Sequence, residues 1–298
     1  MPASDRLTPA EYAALFAIVV IWGVNNAAAK VVTETVPPLF VGAWRFGMAA
    51  VVLLPFLRPP FPRPWRLVAW VVGLGTLHFA LVYICFALAE DLSPLAVSLQ
   101  LWIPLVAVLS WLFLKEPLGP AAIAGLAIAF AGVVVMTADP VALRDWRAIA
   151  LGAFASLIWA GATLAARRAA VPPLKLQALL SVVAAPVLFG SSSVLEPGWD
   201  EAFRSATPLV WACMLWAALV STVGATGMLF WLVQRREAGR VTPYLLLTPV
   251  CSIAIGAVLL GDVLTPQILI GSAAVIGGIA LVSAAERRIA ARPVSEPV

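Results

Sequence analysis

The sequence predicts an all-α membrane protein of ten transmembrane helices, arranged as two inverted five-helix repeats with both termini in the cytoplasm. Three observations predict it. The 298 residues are 62% hydrophobic and 11% charged, with a mean hydropathy of +1.00; a soluble domain carries about 25% charged residues. The apolar residues gather into ten runs, each close to the roughly 20 residues a helix needs to cross a bilayer. The first half of the chain also returns in the second. Leu118, Pro120, Gly125, Ala127 and Gly132 match Leu264, Pro266, Gly271, Ala273 and Gly278, and the acid Glu116 matches Asp262, each just before a Pro-started helix whose positive N-terminal end suits a carboxylate. Ile21-Trp22 recurs as Ile158-Trp159, and Val36-Pro37-Pro38-Leu39 as Val171-Pro172-Pro173-Leu174. One transmembrane domain thus covers 1–298, with a first repeat at 10–142 and a second at 146–286.

The spans run over 10–30, 39–57, 66–89, 94–114, 118–137, 147–167, 174–193, 208–233, 242–260 and 264–285. The connections are short and carry Pro, Gly and charge. The first run is long enough to span, so it reads as a helix of the protein and not as a cleaved signal peptide. Placing the N-terminus inside puts fourteen of the nineteen Lys and Arg in cytoplasmic segments: Arg6, Arg58, Arg63, Arg66, Lys115, Arg167, Arg168, Lys175, Arg235, Arg236, Arg240, Arg287, Arg288 and Arg292. Lys30, Arg144, Arg147 and Arg204 fall outside, and Arg45 lies within a span. Positive-inside bias of this size sets the orientation. Five spans per repeat is odd, so the second repeat enters from the opposite face. Inverted repeats place a site near the midplane between them, and half-length repeats in a membrane chain suggest a transporter.

Composition also excludes. Nothing forms a basic nucleic-acid patch. Cys85, Cys213 and Cys251 lie dispersed in apolar runs and read as small buried hydrophobes, so no metal site, disulfide or cofactor is expected. One histidine and three scattered cysteines supply no catalytic set for an intramembrane enzyme. No phosphate-binding Gly-Lys-[Ser/Thr] loop occurs, so the chain does not hydrolyse ATP itself. A channel is the other alternative, but no ring of charge marks a filter.

Polar groups inside spans are costly, so each is a functional candidate. In the first span Trp22 shares a face with Asn25 and Asn26, whose amides suit either a substrate or a neighbouring helix. Arg45 in the second span needs a wet cavity, a carboxylate or helix C-terminal carbonyls; a structural or gating ion pair is expected, with Glu90 or Asp91 as partner and direct substrate binding as the alternative. In the third span Phe79 and Tyr83 line one stripe, and His78 reads as a satisfied core residue and not as a proton-coupling group. In the fourth, Ser98 and Trp102 share a face beside Pro104, which leaves the carbonyl of Gln100 without its helical donor. The ninth span repeats the device with Pro243, Tyr244, Thr248 and Pro249. Paired broken helices in the two halves point to a substrate path. Trp22, Trp44, Trp102, Trp159 and Trp216 are the deep tryptophans, able to wall a cavity with Phe79, Tyr83 and Tyr244. The remaining tryptophans lie near span ends and read as an interfacial belt. Ala121/Gly125 and Ala274/Gly278 are close-packing pairs between helices, a dimer face being the alternative.

The order of these motifs resembles the EamA-type branch of the drug/metabolite transporter superfamily. The residues that carry the resemblance are Trp22-Gly23-Val24-Asn25 with Lys30, Pro37-Pro38 leading to Arg45-Phe46, Ala87-Leu88, Pro104, Lys115-Glu116-Pro117-Leu118, and Gly125 with Gly132. It covers about residues 10–285. The aromatic content of the third and fourth spans further resembles YddG-type aromatic amino acid exporters. The resemblance implies a central cavity formed by spans 1–4 and 6–9, with spans 5 and 10 at the periphery. The second half departs from the pattern in lacking an equivalent of Arg45. The expected protein is a multi-pass secondary transporter of the bacterial inner membrane and a monomer, with a dimer as alternative. It exports small amphipathic metabolites, foremost aromatic and hydrophobic amino acids. The expected substrate-binding residues are Trp22, Asn25, Phe79, Tyr83, Ser98, Gln100, Trp102, Trp159, Tyr244 and Thr248. Arg45, His78, Pro104 and Pro249 are expected to gate or brace the fold.

Overall fold

The computed structural model describes residues 7–59, 65–88, 98–116, 119–137, 146–169, 171–259 and 264–290. Among the expectations above, those for Glu90, Asp91, Pro117, Leu118 and Asp262 lie outside them, as do those for the start of span 4 and the side chains of Lys30 and Ala87. Every element among the described residues is helical. Ten apolar helices follow in order: α1 (Pro9–Thr33), α2 (Pro38–Leu57), α3 (Trp65–Leu88), α4 (Ser98–Leu114), α5 (Pro120–Thr137), α6 (Trp146–Arg168), α7 (Pro173–Leu195), α8 (Pro208–Arg235), α9 (Ala238–Val258) and α10 (Pro266–Ala290). Eight are long and apolar enough to cross a membrane; the apolar stretches of α4 and α5, Ser98–Leu114 and Pro120–Val135, are shorter. A short helix, Trp199–Arg204, lies between α7 and α8, where only a loop was expected.

Helix starts follow local chemistry. Thr8 caps α1 in a reciprocal box: Glu11 N–H donates to Thr8 Oγ1 at 3.3 Å and Thr8 N–H donates to Glu11 Oε2 at 2.7 Å. α2 and α7 open on Pro38 and Pro173, where a proline costs no helical hydrogen bond. The free N–H groups of α2 are met from the other repeat. Glu196 accepts from Leu39 N–H at 2.7 Å and Phe40 N–H at 3.0 Å, and Ser192 Oγ steadies it at 2.9 Å. At the opposite end of the same helix pair, Lys175 Nζ donates to Arg58 O at 2.7 Å. Each charge thus meets the helix end of opposite polarity.

The helices pair by a rule that exchanges the repeats. α2 packs along α7 and α5 along α10; α1 packs on α8 and α9 as α6 packs on α3 and α4. In α5 and α10 the glycines cross antiparallel. A Cβ on Gly125 would lie 2.6 Å from Gly278 O, and one on Gly132 2.6 Å from Gly271 O. Since Gly125 matches Gly271 and Gly132 matches Gly278, the two contacts are related by a pseudo-two-fold. Large apolar side chains such as Phe16, Trp70, Trp111 and Val194 stand exposed on the outer surface. In water they would be a liability; facing lipid they need no cover.

One expectation about the helix ends is corrected. The sequence placed Glu116 at the N-terminus of α5. Lys115 instead turns in the left-handed region at φ 57°, and Glu116 faces α6 and α9. Its Oε1 lies 2.7 Å from Arg167 Nε, and its Oε2 accepts from Gly239 N–H at 3.4 Å. Gly239 is in the first turn of α9, so the carboxylate serves that helix end instead. Burial pushes the Glu116 carboxyl above the usual carboxylate range, against the opposing pull of Arg167.

Candidate functional site

The deep polar and aromatic residues meet where the repeats face each other. His78 and Phe79 on α3 reach Trp159 on α6. The His78 ring stacks on Trp159 at 4.9 Å and 24°, and Phe79 meets Trp159 at 5.4 Å and Phe46 at 4.7 Å. Trp159 continues to Phe230 of α8 at 6.2 Å. His78 Nδ1 donates to Ala155 O at 2.9 Å, which satisfies the ring as a core histidine should be. Tyr83 is buried across Gly42, where a Cβ would overlap its ring. Gly42 therefore makes room for the tyrosine one turn from Arg45.

Arg45 reaches into the second repeat. Its Nε donates to Thr222 Oγ1 and its Nη2 to Ser221 Oγ at 3.1 Å. Its guanidinium lies 5.8 Å from the Phe79 ring and 6.0 Å from the Phe46 ring. The expected ion-pair partners Glu90 and Asp91 are outside the described residues. Ser221 and Thr222 stand in a π-helical stretch of α8, Trp216–Ala225. Wide turns of this kind free backbone groups and recur at functional sites; here Thr222 Oγ1 donates to Ala217 O at 2.8 Å.

A second group lines α1, α4 and α9. Trp22 meets Trp102 edge-on at 6.4 Å, and Tyr12 meets Tyr244 edge-on at 5.8 Å. Asn26 Nδ2 donates to Ser252 Oγ at 2.9 Å, so Asn26 joins helices. Asn25 Oδ1 and Thr248 Oγ1 are buried without a hydrogen-bond partner. Both groups belong to one continuous apolar core that holds Tyr83, Trp102, Trp159 and Tyr244, with Trp22 and Phe79 packed against it.

The break in α4 is real but displaced. Leu101 N–H donates to Ser98 O at 3.3 Å in a tight turn, and a fresh α-helical stretch, Trp102–Leu109, contains Pro104. Ser156 of α6 repairs the break. Its hydroxyl donates to Ser98 O at 2.9 Å and Leu99 O at 3.0 Å. The sequence located the loose carbonyl at Gln100, one turn before Pro104; the carbonyls that Ser156 meets are those of the two preceding residues, Ser98 and Leu99. Gln100 is half-buried. In α9 the break is a 3₁₀ stretch, Thr242–Leu246, with Pro249 in the helix that follows.

Trp44 is a further correction. It leaves the central group and packs on Phe203 and Trp211, each at 5.3 Å, in a satellite cluster with Trp199. Sequence reasoning also missed Ser156, Ser221, Thr222 and Glu196. The first three are hydroxyls within spans and answer to the same cost argument that singled out Asn25. Glu196 sits in a Glu-Pro-Gly loop, and nothing local reveals that it reaches α2.

The end of the molecule bearing the N-terminus of α1 is bridged by charge across the repeats. Glu11 Oε1 pairs with Arg236 Nε at 2.7 Å, beside the Glu116–Arg167 pair. Arg167 Nη1 also donates to Val233 O at 3.1 Å.

The fold and its repeats match known proteins. The EamA-like transporter family matches the chain twice, over residues 10–138 and 146–284. A protein of Salmonella typhimurium named "Probable amino-acid metabolite efflux pump" is 28% identical over 276 residues, covering 88% of this chain and 91% of that one. The "Uncharacterized inner membrane transporter YedA" of Escherichia coli is 24% identical over 295 residues, 96% of this chain and 95% of that one. A solved crystal structure superposes with a TM-score of 0.79 at 21% identity, covering 95% of this chain and 99% of that one, which shows a shared fold. Matched in both halves, this multi-pass membrane chain belongs to the EamA-like transporter family.

Proposed function

We propose that the chain exports small amphipathic metabolites, foremost aromatic and hydrophobic amino acids, by alternating access between its two repeats. The observation that carries this reading is the junction of Phe79, Trp159 and Arg45 with Ser221 and Thr222, where rings and polar groups of both repeats meet. The name of the Salmonella relative favours the same substrate class. All ten helices span in this reading, including α4 and α5. One domain holds repeats at 10–142 and 146–286, and both termini are cytoplasmic by the charge bias. The inner membrane of a bacterium is the expected place, as the name of the YedA relative suggests for that protein. The chain works as a monomer without a cofactor, and it is a carrier and not an enzyme.

Phe79, Tyr83, Trp159, Trp22 and Trp102 provide the apolar wall, with Tyr244 at the α1–α9 contact. The unpartnered oxygens of Asn25 and Thr248 suit an ammonium group. Ser98 and Gln100 border the break in α4, and Pro104 and Pro249 keep α4 and α9 able to bend. Fully burying one apolar side chain contributes about 1.5–3 kcal/mol, adequate for a ligand that must also be released. Purified protein in liposomes should take up labelled phenylalanine or leucine with saturation. Uptake of other metabolites but of no amino acid would reassign the substrate, and uptake that never saturates would favour a channel.

A further inference from the structure

We infer that Arg45 is the group that receives the carboxylate of the transported substrate, and so selects acids over their neutral analogues. The inference rests on the amino acid reading above and sharpens it. Its starting point is the environment of the guanidinium. Nε and Nη2 are held by the hydroxyls of Thr222 and Ser221. Those partners orient the head group but bring no negative charge. Among the described residues, the carboxylates within ion-pairing distance of an arginine belong to Arg167, Arg204, Arg236 and Arg240, and none to Arg45. A cation at this depth is too costly to face lipid.

The helix turns it inward. Val41 and Gly42, one turn before, and Ala49, one turn after, are buried. Arg45 itself is half-buried, and the hydroxyls of Ser221 and Thr222 leave part of its donor fork unused. Two N–H groups of a planar fork match the two oxygens of a carboxylate. The surroundings fit the rest of an amino acid. Phe46 and Phe79 flank the guanidinium, Tyr83 crosses Gly42 a turn away, and Trp159 continues the wall from Phe79. An apolar side chain lying on these rings would leave its α-carboxylate beside Arg45. The second repeat holds Arg45 through Ser221 and Thr222, so the anion binds at the junction that alternating access must work. No counterpart is needed in the second half, because one substrate carries one carboxylate; Leu180 stands at the matching position of α7.

The test measures binding to purified protein of L-phenylalanine, its carboxamide, and hydrocinnamate, which keeps the carboxylate and lacks the ammonium. Wild type should prefer phenylalanine to the carboxamide by roughly tenfold or more, the scale of one charge-assisted hydrogen-bonded contact. Arg45→Gln should erase that preference by weakening the acid alone, and Arg45→Lys should keep part of it. Thermal unfolding is followed for each variant. If Arg45→Gln does not fold, Arg45→Lys and the wild-type preference decide. A wild type indifferent to the carboxamide, or variants that fold and weaken both ligands equally, would overturn the anchor and leave the amino acid reading standing. Arg45-dependent binding of hydrocinnamate without phenylalanine would uphold the anchor and remove the amino acid reading. Binding of none of the three would overturn both.

Discussion

His78 Nδ1 donates to Ala155 O, and its ring stacks on Trp159. Both contacts fix the imidazole between α3 and α6, in keeping with the proposed bracing role beside Phe79. His78→Gln keeps an amide N–H able to donate to the same carbonyl. The pH profile of transport between about pH 6 and 7, where a histidine ordinarily titrates, should therefore stay as in wild type; a shifted profile would make His78 a proton-coupling group. At this scale the sequence was informative about which polar residues lie deep in the helices and poor about their partners. Cost in the membrane singled out Arg45, but its hydroxyl partners lie far along the chain on α8. Ser156 escaped notice for the same reason, since the carbonyls it repairs belong to another helix. Spacing along one helix gives the face a residue shares and says nothing of the neighbour it meets.

The helices themselves were legible, because apolar length and proline starts are local properties. What stayed hidden was their irregularity. The π-helical stretch Trp216–Ala225 has no proline to announce it, and the turn at Leu101 falls before the proline of α4. The glycines of α5 and α10 were read correctly as close-packing positions, and the structure pairs them with each other. A Cβ on Gly132 would lie 2.6 Å from Gly271 O and 2.8 Å from Val275 N, so no side chain fits between the helices. Gly132→Val should weaken this pair by about 1–3 kcal/mol, the range for overpacking a tight contact. Lower thermal stability in detergent with intact helix content would show it. An unchanged unfolding temperature would mean that the contact is dispensable.

Over the whole molecule, helix pairing obeys the exchange of repeats that the echoed motifs foretold, with α2 on α7 and α5 on α10 as its two self-related pairs. Charge breaks the symmetry. Glu11–Arg236 and Glu116–Arg167 clamp one end, and at the other end Glu196 caps α2 beside the rings of Phe40, Trp199 and Phe203. The clamped end is the one that the charge bias assigns to the cytoplasm. Arg236 is itself in the clamp, so orientation is better read from exposed neighbours. In a background without native cysteines, Arg235→Cys should react only from the cytoplasm and Ser205→Cys only from outside; the reverse pattern would invert the topology.

The central claim is that substrate lies against the aromatic wall between the repeats. Substrate selectivity in proteoliposomes tests it most directly. Tyr83 crosses Gly42 near Arg45, and Trp102 meets Trp22 at the broken helix. Tyr83→Ala and Trp102→Ala, each folded, should slow uptake of tryptophan, phenylalanine and leucine severalfold, roughly what about 1 kcal/mol of lost apolar contact gives, while small polar substrates change less. Wild-type rates for all three amino acids in both variants would contradict the account.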